Sequence, residues 1–356
     1  MKILFLCKRY YTNKDLLYDH FGRLFHLPVE LSRNGATVSV IALDYRNGSP
    51  KFERVEGVTF QTVPATIAHL PRLPLDLVAS VQRFQPDIII ASGDSHIGFA
   101  GKWLAARAMA RFVFDVYDYY PAFAGNRFPG MRAMFYFAVK QADLTLCAST
   151  PLVKRLITIN RNTKLIENGV NRRLFRPMNV HASRDSVGLP WDIPVVGYFG
   201  AITPKRGPLL FEAVRHLRDR FPRMVVLLAG TISACRLADS FIFYKGQVPQ
   251  ESVPVLISAC NAVTIPYDSD PQIDMQGPCK VAEYLACERP VVATRVSGHE
   301  LDFRDAPESL CDPSADDMAR VIDRQLTSPK IAAFPAHLDW SDIAMRLQKE
   351  LKSLQI

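Results

Sequence analysis

The sequence predicts an α/β protein built from two doubly wound, largely parallel halves. Three observations carry this reading. Short, continuously apolar runs such as Leu144 to Cys147 and Val225 to Ala229 suit strands buried on both faces, as in a parallel sheet. Longer stretches with helical spacing lie between them, so strand and helix alternate along the chain. The pattern then restarts after a proline-rich stretch, and 356 residues suffice for two separate cores.

In the first half, Ile3 to Cys7 reads as a strand, and Phe21 to Arg33 as a helix stopped by Asn34-Gly35, a C-cap signal. Strands are then expected at Thr37 to Leu43, Thr59 to Val63, Ile88 to Ala91, Phe112 to Asp115, Leu144 to Cys147 and Lys164 to Ile166. Helices are expected at Leu75 to Phe84, Phe99 to Met109, Met131 to Gln141 and Leu152 to Ile159. Residues 176–194 hold Pro177, Gly188, Pro190 and Pro194 and read as a linker. It separates an N-terminal domain, 1–175, from a C-terminal one, 195–337. The second half places strands at Val195 to Phe199, Val225 to Ala229, Phe241 to Tyr244, Ala262 to Ile265 and Val291 to Ala293. Its helices are Leu209 to Phe221, Val253 to Ala259 and Val281 to Cys287. In the final stretch, 338–356, Ile343, Leu347, Leu351 and Leu354 share one helical face, with Trp340 as its anchor.

Composition narrows the function. A hydrophobic content of 48% and a charged content of 22% are those of an ordinary globular chain, not a disordered one. The net charge of +8 points to an anionic partner. Its basic residues are scattered in clusters such as Arg172 to Arg176 and Arg215 to Arg223, with no dense stripe, so nucleic acid is not the expected partner. Seven cysteines without a C-x-x-C pair fit reduced thiols. The apolar run in Met1 to Cys7 is too short for a signal-peptide core or a spanning helix, so a cytoplasmic protein is expected. Two aromatic and basic stretches, Tyr18 to His26 and Phe128 to Lys140, suit contact with an anionic membrane at its inner face, although the second equally suits packing on the sheet.

The residues that suit chemistry lie where strands end. Lys280 and Glu283 stand three apart on a helix opening near Pro278, after Gly277, and so share a face at its electropositive end. The lysine suits a diphosphate and the acid a ribose diol. After Phe199, the loop offers Gly200, Thr203, Lys205, Arg206 and Gly207, small residues that admit phosphate and cations that neutralise it. On the other half Asp115 and Asp118 end one strand among three tyrosines, and Asp94 and His96 follow another. Asn13, Lys14, Asp15 and Asp19 follow the first strand.

Several of these segments occur together in a familiar order. Asn168-Gly169-Val170 with Phe175 and Pro177, then Gly197 to Gly207, Leu227 to Gly230, Tyr244 to Val248, Ala262 to Tyr267 and Gly277 to Thr294 resemble the family-four glycosyltransferases of the GT-B superfamily. The resemblance implies two Rossmann-like domains whose parallel sheets face a crevice, with a C-terminal helix crossing back to the N-terminal domain. It implies transfer of a sugar from a nucleotide-diphosphate sugar, UDP or GDP, to a glycan or lipid-linked acceptor in polysaccharide or glycolipid biosynthesis. No cofactor beyond the donor and no metal is expected. In the family, the loop holding Tyr244 and Gln247 meets the base. Two glutamates there have seven residues between them; here Met275 stands in place of the first, beside Asp274. A family His-Asp pair is represented by Tyr117-Asp118, leaving Asp118 to take or orient the acceptor proton. The glycine pair of the family's first loop is missing. Two alternatives stand beside this reading: a sugar epimerase or phosphorylase on the same scaffold, for which no motif speaks, and a Rossmann protein that binds a nucleotide or nucleic acid without turnover.

Overall fold

The computed structural model describes all residues except 12–13, 271–272, 278, 297–298 and 356. Asn13 and Pro278, singled out above, therefore lie outside the described residues. The chain forms two compact units: Met1–Gly169 with Met275–Gly277 and Asp339–Ile356, and Val170–Asp274 with Pro278–Leu338.

Unit 1 is built on an eight-stranded sheet. Its order is Thr163–Leu165, Leu144–Cys147, Arg111–Val116, Ile88–Ser92, Lys2–Lys8, Thr37–Asp44, Val58–Pro64 and Phe52–Val55. All pairings are parallel except the last. Its central strands are largely buried beyond their first residues (Ile88–Ser92 completely), which is why they read as apolar runs. The edge strand Phe52–Val55 was not expected. It forms a hairpin around Glu56 and Gly57, both at positive φ (49° and 80°), the geometry of a two-residue turn.

The C-terminal helix Trp340–Lys352 is part of unit 1 and buries Trp340, Ile343, Ala344, Leu347 and Leu351. Asp339 caps it by accepting from the Ser341 N–H, and Gln348 donates to the carbonyl of Asn34, where the helix Arg23–Arg33 ends. Between these helices the His26 ring stacks on Trp340 with centroids 5.5 Å apart. Burial, reinforced by Arg33, lowers its imidazole from 6.5 to about 4. The unfolded chain therefore binds this proton more readily, and stability supplied by the neutral ring is lost as pH falls from about 6.5 towards 4. Thermal midpoints measured across that window are expected to fall on acidification. The slope should flatten in His26→Gln, and an identical slope in the two proteins would remove His26 from the account.

Unit 2 carries six parallel strands in the order Ile242–Tyr244, Val225–Ala229, Val195–Phe199, Ala262–Ile265, Val291–Thr294 and Leu310–Cys311. Its first strand in sequence lies in the middle, with the second and third on one side and the rest on the other. This is the classic dinucleotide-fold order, and ligands in such sheets bind beyond the carboxyl ends of the strands where the order reverses. A helix, Val180–Val187, occupies much of the stretch read as a linker. Asn179 caps it and Gly188 ends it in the left-handed conformation. Arg184 on this helix is buried and donates to the carbonyls of Ala259, Pro190 and Trp191 and to Asn261 Oδ1, which ties the segment to the unit 2 core. The helix Ala315–Thr327 was also not expected; Ser314 caps it by accepting from the Asp317 N–H.

Candidate functional site

In unit 2 the loop after Val195–Phe199 is shaped by glycine. Gly200 has φ 144° and Gly230 φ 140°, and a side chain on Gly230 would overlap the Gly200 carbonyl oxygen. The backbones of two successive strand ends thus lie against one another, joined by the Gly200 N–H donating to the Ala229 carbonyl at 2.7 Å. Any side chain on Gly200 would meet the Lys280 side chain. Lys280, on the helix Cys279–Ala286, therefore lies over the strand end where the sheet order reverses, with its Nζ 5.8 Å from the Tyr198 ring centroid. Glu283, one turn further on, is half-buried, and its burial raises the carboxyl above its ordinary range despite the opposing pull of Lys280. Among the described residues neither side chain is engaged in a hydrogen bond or ion pair within the chain. The hydroxyl of the buried Tyr284 beside them accepts from the Phe199 N–H at 3.0 Å and holds the helix on the first strand.

The rest of the loop is braced. Thr203 and Arg206 exchange backbone hydrogen bonds of 2.9 and 3.0 Å, and the Arg206 guanidinium lies 4.8 Å from the Tyr267 ring centroid. Lys205 forms an ion pair with Asp270, so its charge is compensated within the chain. Tyr244 donates its hydroxyl to the Gly230 carbonyl at 2.6 Å, while Gln247 is exposed on the following loop. Asp274 accepts from Ser269 Oγ at 3.3 Å through one oxygen, and the other is buried without a hydrogen-bond partner. Gly277 belongs to unit 1, where Asn168 Nδ2 donates to its carbonyl at 2.7 Å and Ala148 leaves no room for a side chain. Its part is thus backbone packing against Ala148.

In unit 1 the strand ends carry a layered set of charges. Asp115 is fully buried and accepts three hydrogen bonds from Arg23 Nε and Nη2 at 2.6 to 3.0 Å, plus one from Ser92 Oγ at 2.9 Å. Arg23, itself 1% exposed, also donates to the carbonyls of Ile166 and Glu167. This corrects the expectation for Asp115: with its oxygens turned onto Arg23 and Ser92 inside the core, it anchors strand ends and is not presented to a ligand. Asp94 sits at the start of the helix Ser95–Ala108 and pairs with Lys8, whose ammonium is lowered by burial. His96 meets the Tyr45 hydroxyl at 2.7 Å; burial, then Lys8, brings its imidazole down to about 4, so it is neutral near pH 7. Asp118 is half-buried just past Arg111–Val116, between the buried Tyr117 and Tyr119. After the first strand, Arg9 binds Asp15 and Asp44 together and so fixes the loop that lacks the glycine pair. Lys8, Arg9, Arg23 and Tyr45 were missed as parts of this edge. The Lys8-Arg9 pair at the end of a buried strand was the readable signal; nothing local marked the other two. Among the described residues no group of three His, Cys, Asp or Glu is placed to hold a metal ion.

Two dinucleotide-type sheets, with a lysine laid on a glycine strand end in one of them, define a GT-B type of protein. Residues 193–328 match the family described as Glycosyl transferases group 1, and residues 23–169 that described as Glycosyl transferase 4-like domain. The chain belongs to the family-four-like glycosyltransferases. It is similar to D-inositol 3-phosphate glycosyltransferases from Mycobacterium leprae (26% identity over 185 residues, 47% of this chain and 41% of that protein) and Saccharomonospora viridis (29% over 192 residues, 48% and 43%). The matched region spans less than half the length of these relatives. Among solved structures, Anabaena Alr3699/HepE in complex with UDP shares the fold with a TM-score of 0.76 at 17% identity, covering 99% of this chain and 100% of that one. Sucrose-phosphate synthase from Thermosynechococcus elongatus does so with a TM-score of 0.74 at 18% identity, covering 99% of each chain.

Proposed function

We propose that the protein transfers a sugar from a nucleoside-diphosphate sugar, with UDP or GDP as leaving group, to a glycan or lipid-linked acceptor in polysaccharide or glycolipid biosynthesis. The observation that carries this reading is Lys280 lying over Gly200 at the reversal of the unit 2 sheet, with Glu283 one helical turn away. Lys280 and Arg206 neutralise the diphosphate as the bond from the anomeric carbon to the leaving oxygen breaks, so the charge is met by side chains and no metal is called for. Glu283 accepts from the ribose hydroxyls, Tyr244 and Gln247 flank the base, and Asp274 turns its unpartnered oxygen to the sugar. Support for uridine comes from the similar Anabaena protein, whose structures contain UDP and UDP-glucose. Unit 1 supplies the acceptor side, where Asp118 takes or orients the proton of the attacking hydroxyl.

No helix among the described residues is long and apolar enough to cross a membrane. Phe128 (72% exposed), Phe137 (45%) and the exposed Lys140 support contact with an anionic membrane surface at its cytoplasmic face, whereas Phe135, Ala138 and Val139 of the same helix are core.

Lys280→Ala should weaken UDP or GDP binding about tenfold or more, since a charge-assisted contact contributes roughly 1.5 to 3 kcal/mol. Glu283→Gln should weaken nucleotide binding while leaving inorganic diphosphate binding intact. Calorimetric titration of both ligands checks this: unchanged affinities in folded Lys280→Ala would sink the donor assignment, and equal losses for both ligands would make Glu283 structural. Nucleotide binding without any donor turnover would instead favour a non-catalytic nucleotide binder.

A further inference from the structure

Two buried tyrosine rings of unit 2 each lie under one of the cations proposed to meet the donor diphosphate. The Lys280 ammonium lies over the Tyr198 ring, 5.8 Å from its centroid, and the Arg206 guanidinium over the Tyr267 ring at 4.8 Å. Both rings are sealed in the unit 2 core, Tyr198 at 0% exposure and Tyr267 at 1%. They are fixed by the strands that carry them. Tyr198 lies on the central strand Val195–Phe199 and donates its hydroxyl to the Ala201 carbonyl at 2.8 Å. Tyr267 follows the strand Ala262–Ile265; its N–H donates to Thr294 Oγ1 at 3.2 Å, and that hydroxyl lies 2.8 Å from the Tyr267 carbonyl, at the end of Val291–Thr294. Backbone pairing of Arg206 with Tyr267, and the Asp268 N–H donating to the Lys205 carbonyl at 3.1 Å, tie the loop after Phe199 to the same point. Tyr267 thus gathers the ends of three neighbouring strands under the Arg206 side chain.

An aromatic face holds a cation differently from a carboxylate. The ring quadrupole attracts the cation yet carries no net charge, so the positive charge stays available to an incoming anion. Burial raises the Tyr198 phenol well above its ordinary range, which keeps the ring under Lys280 neutral. Lys205 is the contrasting case in the same loop, its charge answered by Asp270. A long cationic side chain also loses freedom when it closes on a ligand, which weakens binding. A ring that orders the side chain beforehand removes that loss.

We infer that Tyr198 and Tyr267 are positioning residues of the donor site, their ring faces holding Lys280 and Arg206 in place for the diphosphate before it arrives. The inference rests on the glycosyltransferase reading and adds to it the residues that set the two cations. Neither tyrosine touches the donor; each acts through the side chain above it. The electrons of the ring face, and not the bulk of the ring alone, are what the site uses.

Full-length Tyr198→Phe and Tyr267→Phe chains are compared with the same chains in which that phenylalanine is ring-trifluorinated, a change that nearly keeps the size of the ring and strips the negative charge from its face. Calorimetry titrates UDP and inorganic diphosphate into each. Trifluorination at either position should weaken both anions about threefold to tenfold relative to phenylalanine, the range of a partly desolvated cation–π contact, with the thermal midpoint unaltered. The decisive arm is a double-variant cycle. In a Lys280→Ala background trifluorination at position 198 should make no difference to either anion, and in an Arg206→Ala background the same holds at position 267. A packing role does not depend on the electrons of the ring, so equal affinities of the phenylalanine and trifluorinated chains would overturn the inference. A loss that persists undiminished once the cation above the ring is removed would overturn it as well. Failure of the native chain to bind UDP or GDP would instead count against the glycosyltransferase reading, and the diphosphate titrations would then decide the role of the rings by themselves.

Discussion

Asp118→Asn is expected to cut glycosyl transfer by about 10² to 10⁴, the usual contribution of a positioned general base, while UDP affinity stays at the native level. Its position along the sheet edge carries this expectation. At the same sheet edge Asp115 is enclosed by Arg23 and Ser92, Asp94 is paired with Lys8, and His96 is bound to Tyr45. Asp118 is the half-buried carboxylate just past the strand end, flanked by buried tyrosines that fix the local backbone. Asparagine keeps its size and one acceptor oxygen but cannot take a proton. Initial rates with a competent donor and acceptor decide the matter. Turnover within a factor of about three of native would reduce Asp118 to a polar lining residue, because base removal typically costs far more than that.

The largest effect on stability is expected at Arg23. Arg23→Ala removes the cation from a pair whose members are each about 1% exposed and leaves the Asp115 carboxylate without its counter-charge in the core. Removing one partner of such a pair costs roughly 3 to 5 kcal/mol, because a buried charge is left uncompensated. The same change frees the carbonyls of Ile166 and Glu167 and so loosens the end of the last strand of the sheet. Replacing both residues, Arg23→Met with Asp115→Leu, should recover much of the loss, since no charge then remains in the core. Urea denaturation of the two variants measures this; a loss under about 1 kcal/mol in Arg23→Ala would mean that water reaches the carboxylate.

The alternation of elements was legible because strands buried on both faces carry few polar residues and the helices between them carry many. What escaped was short or heavily charged. Leu310–Cys311 is a two-residue strand, too brief to show a pattern. The helix Ala315–Thr327 buries Met318, Val321, Ile322 and Gln325 behind a charged face, and its Ser314 and Asp317 cap was the signal to read. In the donor region the Lys280 and Glu283 spacing was visible because a helix turns a separation of three into neighbours. That Gly200 lies beneath Lys280 was not, since a fold brings strand ends together over distances no local pattern spans. The same holds for the acceptor unit: Arg23 and Asp115 are 92 residues apart, and Tyr45 and His96 are 51 apart. A carboxylate at a strand end looks the same in sequence whether it faces a ligand or an arginine in the core.

The distribution of the thiols has a practical consequence. Five of the seven cysteines are buried, and burial pushes thiols such as Cys7, Cys287 and Cys311 up to about 12, where hardly any thiolate exists near neutral pH. Cys235 and Cys279 are half-exposed. A maleimide dye or a spin label would thus be directed to two positions without engineering. One of them is the residue directly before Lys280, which gives the native chain a built-in attachment point for an optical or magnetic reporter of donor occupancy.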